Sequence, residues 1–164
     1  MTRSEELAGE LQAAIDAIHT ELAAIADDRW TNAITGPEGW PVGHTAHHIG
    51  EGYLQSLRWI DQALAEARPV VLDPAVGLPA INLANARCLE EHGHQARAET
   101  MRFMSANAQR LIDRVRTLTD AQLDEPMMIL MGQARPGSMV AVPMALRHAN
   151  NHMDSIRGAT PRQK

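Results

Sequence analysis

The sequence predicts an all-α fold in which four principal helices with short connections pack as an up-down bundle. Apolar residues recur at helical spacing in the longest segments. Hydrophobic residues make up 45% of the 164 residues, but aromatic residues only 3%. The core must therefore be built from Ala, Leu, Ile, Val and Met, which pack readily as helices. A chain of this length fits one domain, spanning residues 1–164.

The first helix is predicted at roughly residues 2–26, and Trp40 and Pro41 lead into a second helix that runs to about residue 67. Thr2 and Glu5 have the spacing of a capping box, which marks the start of the first helix. The second helix must stop before Pro69, because the residue preceding a proline disfavours helical backbone.

The second helix also contains two glycines, Gly50 and Gly52. Glycine in a helix interior is costly, because it loses more conformational freedom on folding than other residues. The close approach of a neighbouring helix or a ligand would explain both glycines, and so would simple tolerance.

Turn-forming residues predict the connections. Residues 27–43 are predicted as a connection with a turn at 36–39, and residues 70–79 as a loop, because they contain proline and glycine. Residues 119–122 have capping-box spacing and predict a short extra turn. Residues 127–136 are predicted as an extended or loop segment over the bundle.

The other helices are predicted at residues 80–93, with a break near Gly93, at 96–118 and at 140–158. Pro143 is tolerable in the last helix only within its first turn. Gly158 is predicted as the glycine that ends this helix.

The composition excludes several partners. The net charge of -5 offers no basic surface for nucleic acid, and no apolar run is long enough to span a membrane. We expect no signal peptide, because the first residues lack a charged segment followed by an apolar one. The single cysteine, Cys88, excludes an internal disulfide and suits a reducing compartment. We therefore expect a cytoplasmic protein.

Two histidines one turn apart, His148 and His152, carry the strongest chemical signal of the last helix. Residues four apart lie on the same helical face, with Cβ atoms about 5–6 Å apart. Two neutral imidazoles held in this way can bind one transition metal. The small residues Ala141 and Ala145 on the same face predict a cavity beside them.

A second group of histidines lies in the second helix. His44 and His48 are one turn apart, and Glu51 follows His48 by three residues, so these three share a face. His47 points about 100° away from His48 but lies one turn before Glu51. Periodicity alone does not select which histidine would complete a site with the last helix.

Three histidine ligands with an open position are typical of a catalytic metal centre. A metal ion there lowers the pKa of a bound water or thiol and polarises a carbonyl. Glu51 is then a candidate to orient a ligand or to accept a proton. The alternative is that the histidines are separately solvated or hydrogen-bonded, and the spacing leaves both interpretations open.

Three asparagines are candidates for a substrate pocket. Asn82 and Asn85 share a helical face, although polarity at a helix end explains them equally well. Asn151 flanks the histidine pair.

Other polar residues favour structural roles. His92 and His94 flank the predicted break and favour an exposed loop. His19 beside the apolar stripe of the first helix is interpreted as a packed histidine. Cys88 is interpreted as a small buried residue, since nothing near it in sequence would activate it as a nucleophile.

Three segments resemble the DinB/YfiT-like superfamily of metal-binding four-helix bundles. His48 follows Trp40 by eight residues, which is similar to the family's tryptophan and first metal histidine. Residues 81–111 resemble its short helix with asparagine followed by a long helix. The spacing of His148 and His152 is similar to the histidine pair of its closing helix. Together these segments cover most of the chain.

The resemblance implies an up-down-down-up bundle that is commonly dimeric, and it selects His48, His148 and His152 as ligands of a divalent metal such as Zn or Ni. Better understood members activate a low-molecular-weight thiol toward an electrophile or use it in isomerisation. The chain departs from the commoner pattern because Met153 stands where some members carry another histidine. His44 and His47 also add imidazoles near the site and are further candidates for the substrate pocket.

We therefore expect a homodimeric, metal-dependent enzyme of the thiol S-transferase type that acts on a small molecule, with neither nucleic acid nor a membrane as partner. One alternative is a metal-dependent hydrolase or isomerase that needs no thiol. The other is a non-catalytic metal-binding or ligand-binding stress-response module.

Overall fold

A computed structural model describes residues 1–34 and 39–159 of the chain. The turn predicted at 36–39 lies mostly outside these residues. Most of the described chain is helical, in agreement with the predicted class. The helices are α1 (Arg3–Ala23), α2 (Val42–Glu66), α3 (Pro74–His92), α4 (Arg97–Arg116), α5 (Asp120–Asp124), α6 (Gly137–Met139) and α7 (Ala145–Ala159).

Four helices, α1, α2, α4 and α7, form the body of the protein. α2 packs against α4 and α7, and α1 packs against α4 and also contacts α7. Each contributes a fully buried side chain to one core: Leu11, Ile49, Leu111 and Met153 are each 0% exposed. The core is mainly aliphatic and methionine-rich, as the composition predicted. Within the described residues, no helix has the length and apolar composition needed to cross a bilayer.

A small three-stranded sheet was not predicted. It has the order β1-β2-β3, with β1 parallel to β2 and β3 antiparallel to β2. The loop prediction for residues 70–79 is therefore wrong, since this segment forms β1 and the start of α3. The strands are β1 (Val70–Leu72), β2 (Pro126–Leu130) and β3 (Gln133–Pro136).

The segment predicted as extended or loop forms the hairpin of β2 and β3. Met131 and Gly132 connect the strands with φ of 51° and 74°, respectively. Positive φ at both central residues is typical of a type I′ turn, which matches the twist of paired strands. β1 pairs with the free edge of β2 through backbone hydrogen bonds. No local sequence pattern predicts this pairing.

Local capping signals are confirmed at both predicted positions. Thr2 and Thr119 each accept a hydrogen bond from a backbone N–H three residues later, and the side chain of that residue bonds back. The end of α2 is also confirmed, because Ala67 adopts a left-handed φ of 49° after Glu66.

The last helix differs from the prediction. Helical backbone begins with α6 at Gly137, so Pro143 lies beyond the first turn, inside a π-helical segment at Val140–Met144 that joins α6 to α7. Proline lacks an N–H and its ring clashes with the carbonyl four residues back. The wider π turn accommodates the missing N–H and the bulk of the proline ring. It also rotates the following residues to a different face of the helix. Gly158 does not end the helix, since α7 includes it.

Candidate metal centre

The contact between α2 and α7 brings three histidines together. His48 comes from α2, and His148 and His152 come from α7. One ligand nitrogen of each lies within 4.8 Å of the others, and the ring centroids are 4.7–4.9 Å apart. The regular i, i+4 geometry of α7 places its pair on the face that meets α2.

Two of the ligand atoms are already at a suitable separation. The Nε2 atoms of His48 and His148 are 3.2 Å apart. Two nitrogens bound to one tetrahedral zinc ion, at Zn–N distances of about 2.0–2.1 Å, lie roughly 3.3 Å from each other. The two rings therefore face each other across the space that a shared cation would occupy.

The protonation states suit metal binding. Burial, and then the neighbouring His48 and His152, lower the pKa of His148 to about 3. His148 is therefore neutral near pH 7, which leaves a lone pair for a metal. All three rings are only partly buried, and the His48 side chain is 13% exposed, so the cluster remains accessible from solvent.

Glu51 orients His48. Its Oε2 lies 3.4 Å from His48 Nδ1, which must donate because a carboxylate only accepts. His48 Nε2 is thereby left with its lone pair directed to the cluster. Burial acts to raise the pKa of Glu51, but hydrogen bonds from His48 and Cys88 outweigh it, so the pKa is lowered and the carboxylate is ionised.

Gly52 makes room for His148. A Cβ atom at Gly52 would lie 2.2 Å from His148 Nδ1, well inside contact distance. That nitrogen is buried and has no hydrogen-bond partner among the described residues. Gly50 likewise allows α4 to approach, since its Cβ would lie 3.0 Å from Met104 and Phe103. Both glycines are thus explained by close approach.

Trp40 forms one wall of the cluster. Its ring contacts His48 edge-on at a centroid distance of 5.1 Å and stacks on His152 at 6.1 Å. Trp40 is only 9% exposed. It therefore restrains two of the three imidazoles and keeps water from that side.

Most of the chain matches a known protein family. The family model described as DinB superfamily matches residues 12–156. The chain belongs to the DinB superfamily. The matched span includes His48, His148 and His152. Comparisons with curated proteins and with solved structures gave no match.

The other two histidines of α2 in this DinB-superfamily chain lie outside the three-histidine cluster. His44 is fully buried behind Trp40, and its ring nitrogens have no hydrogen-bond partner in the described part of the chain. Burial, then His48 and His47, lower its pKa to about 4. His47 stacks instead on Phe103, with ring centroids 4.2 Å apart.

None of the three candidate asparagines is buried. Asn82 and Asn151 are exposed and Asn85 is half-buried, so their part in substrate binding stays a prediction. Ala141 and Ala145, expected beside a cavity, are buried in the hydrophobic core.

The structure places a cavity of about 540 Å³ at the other end of α2. Its lining includes Ala63, Arg68 and Met127 but no histidine. This cavity is therefore separate from the three-histidine cluster.

The interpretation of His92 and His94 as an exposed loop is correct for one of them. His94 is exposed, but His92 is half-buried at the end of α3 and stacks on His47 at 4.4 Å. The reason is tertiary, because α3 folds back on α2 at this point. His19 is half-buried against Ser105, as a packed histidine would be.

Sequence reasoning missed the surroundings of Cys88. The residue is buried as expected, at 7% exposed. However, its thiol meets Glu51, and burial followed by this carboxylate raises the pKa of Cys88 to about 12. Since the two residues lie on different helices, no spacing in the sequence signals their contact.

Proposed function

We propose that this DinB-superfamily protein is a metal-dependent enzyme of the thiol S-transferase type, in which His48, His148 and His152 hold one divalent ion. The convergence of the three imidazoles, with the two Nε2 atoms 3.2 Å apart, is the observation that carries the proposal. Three nitrogen ligands leave at least one coordination position free for a substrate.

The donor set fits the expected metals. Neutral imidazole is a suitable ligand for Zn and Ni, and the lowered pKa of His148 keeps that ring neutral. When bound, the ion would lower the pKa of a low-molecular-weight thiol and so supply a thiolate at neutral pH.

The residues around the cluster have separable tasks. Glu51 holds the His48 ring with Nε2 toward the ion, and Trp40 closes one side to water. The exposed edge of His48 leaves a path for the thiol and the electrophile. No basic surface or membrane anchor is needed for such small molecules.

The superfamily resemblance supports further proposals about the whole molecule. We infer that α1, α2, α4 and α7 run up-down-down-up within a single domain, and that the protein acts as a cytoplasmic homodimer. Size-exclusion chromatography with light scattering tests the dimer.

Activity of metal-loaded protein tests the function. Protein loaded with Zn²⁺ or Ni²⁺ is mixed with several low-molecular-weight thiols and a panel of electrophiles, and thiol consumption is followed. The wild type should consume thiol only when loaded, and His148→Ala should lose both metal and activity. His94→Ala is the matched control, because it removes an exposed histidine outside the cluster. Loaded protein that consumes no thiol with any electrophile would refute the transferase proposal.

A thiol-independent hydrolase or isomerase is the second candidate. It is favoured by the position of Glu51, whose carboxylate is 36% exposed beside the cluster and can orient a water molecule there. Metal-dependent turnover without added thiol would select this candidate. If the loaded protein turns over no substrate and a fourth protein ligand fills the site, it is a non-catalytic binding module.

A further inference from the structure

A second group of metal-ligand side chains lies beside the three-histidine cluster. One ligand atom each of His47, Glu51 and Cys88 lies within 4.8 Å of the other two. His47 and Glu51 are one turn apart on α2, and Cys88 approaches them from α3. Imidazole, carboxylate and thiolate together form a donor set that Zn²⁺ uses in proteins.

The tautomer and the orientation of the His47 ring suit metal binding. Its Nδ1 lies 2.8 Å from Gln95 Oε1, and an amide oxygen only accepts, so Nδ1 carries the proton. The Nε2 atom therefore keeps its lone pair. The ring is held between Phe103 and His92, at centroid distances of 4.2 and 4.4 Å. A hydrogen bond to the far nitrogen is the usual way in which proteins orient a ligating histidine.

The position of Cys88 is unusual for a residue that only fills the core. It is 7% exposed, yet its thiol faces the ionised carboxylate of Glu51 rather than apolar groups alone. The Glu51 carboxylate accepts hydrogen bonds from His48 and Cys88, and its two oxygens keep lone pairs for a further partner. A cation between the thiol, the carboxylate and the His47 imidazole would satisfy all three groups.

We propose that His47, Glu51 and Cys88 form a second metal site, selective for Zn²⁺ and similar thiophilic divalent ions. Tetrahedral Zn–S and Zn–N bonds of about 2.3 and 2.0 Å hold the donor atoms roughly 3.5 Å apart, so donors that now lie within 4.8 Å of one another must approach by at most about 1.3 Å. The Sγ–H bond breaks as the Sγ–metal bond forms, and the proton leaves to solvent.

Glu51 connects the two sites. Its Oε2 contacts His48 Nδ1 at 3.4 Å, while the same carboxylate meets the thiol of Cys88. An ion held by the second site therefore competes with His48 for this carboxylate, and the two sites influence each other. The second site does not depend on the proposed thiol transfer.

Titration of the full chain with Co²⁺ tests the proposal. Cys88 is the only cysteine, so any thiolate-to-cobalt charge-transfer band reports this residue alone. The wild type should bind two equivalents and show the band. Cys88→Ser should lose the band and one equivalent, whereas His148→Ala should lose one equivalent and keep the band. His94→Ala should retain both equivalents.

Two results would overturn the second site. One is saturation of the wild type without a thiolate band. The other is loss of the band together with all binding in His148→Ala, which would show that Cys88 serves the first site instead. The wild type and His148→Ala decide the matter even if Cys88→Ser does not fold.

Discussion

Replacing Gly52 with alanine should separate metal binding from folding. A Cβ atom at this position would lie 2.2 Å from His148 Nδ1, whereas ordinary contact begins at 3.4 Å. The difference, 3.4 − 2.2, requires the ring to move by about 1.2 Å. Ligand distances in a metal site vary by only about 0.2 Å, so this movement removes His148 from coordination.

The magnitudes for binding and stability differ. Disturbing only the support of a ligand costs about 10–100-fold in metal affinity, so displacing His148 itself should cost at least tenfold. For the metal-free fold, overpacking costs about 1–3 kcal/mol, and alanine recovers about 1 kcal/mol of helix propensity. The free energy of unfolding should therefore fall by only about 0–2 kcal/mol, and the fold persists.

Calorimetric titration with Zn²⁺ and urea unfolding in chelator measure the two effects. Both are carried out in a Cys88→Ser background, so that only the three-histidine site is titrated. Gly9→Ala is the matched control, because Gly9 lies in α1 and a Cβ added there would have nothing within 4 Å. It should gain up to about 1 kcal/mol of stability and bind zinc normally. Unchanged zinc affinity in Gly52→Ala would refute His148 as a ligand.

Three further predictions concern the surroundings of the cluster. Tyr53 is fully buried and its hydroxyl has no partner among the described residues, so Tyr53→Phe should raise the free energy of unfolding by about 1 kcal/mol, as measured in urea; a loss of stability would contradict this. Trp40→Leu should lower the free energy of unfolding by about 2–4 kcal/mol and weaken zinc binding, because the ring contact that restrains His48 is lost. Unchanged zinc affinity in calorimetry would contradict this role of Trp40. Burial lowers the pKa of His19, so the unfolded chain binds a proton at this residue more readily than the folded chain. Stability should therefore be lost as pH falls below about 6.5. His19→Gln should weaken this pH dependence of stability, and identical pH profiles of the urea midpoints in the two proteins would contradict the prediction.

Helices and caps were predictable because their signals are local. The capping boxes at Thr2 and Thr119 lie within one turn of chain, and the apolar stripes repeat along each helix. β1 was missed because Val70–Leu72 becomes a strand only by pairing with β2, more than fifty residues away. Pro143 was misplaced because a π turn can absorb a proline that an α turn cannot.

The same distinction applies to the site. The pairing of His148 with His152 could be predicted because both lie on one helical face. The choice of His48 over His44 came from the resemblance, since it depends on which face of α2 meets α7. The approach of Cys88 to α2 depends on how α3 folds back, which no spacing encodes.

Anomalous diffraction at the zinc edge, from crystals of zinc-loaded protein, tests the three-histidine centre most directly. A peak at about 2.0–2.1 Å from one nitrogen each of His48, His148 and His152, with solvent in the remaining position, is the expected result. A zinc-saturated crystal with no peak among these three rings, or with a fourth protein ligand closing the ion, would contradict an open catalytic metal centre.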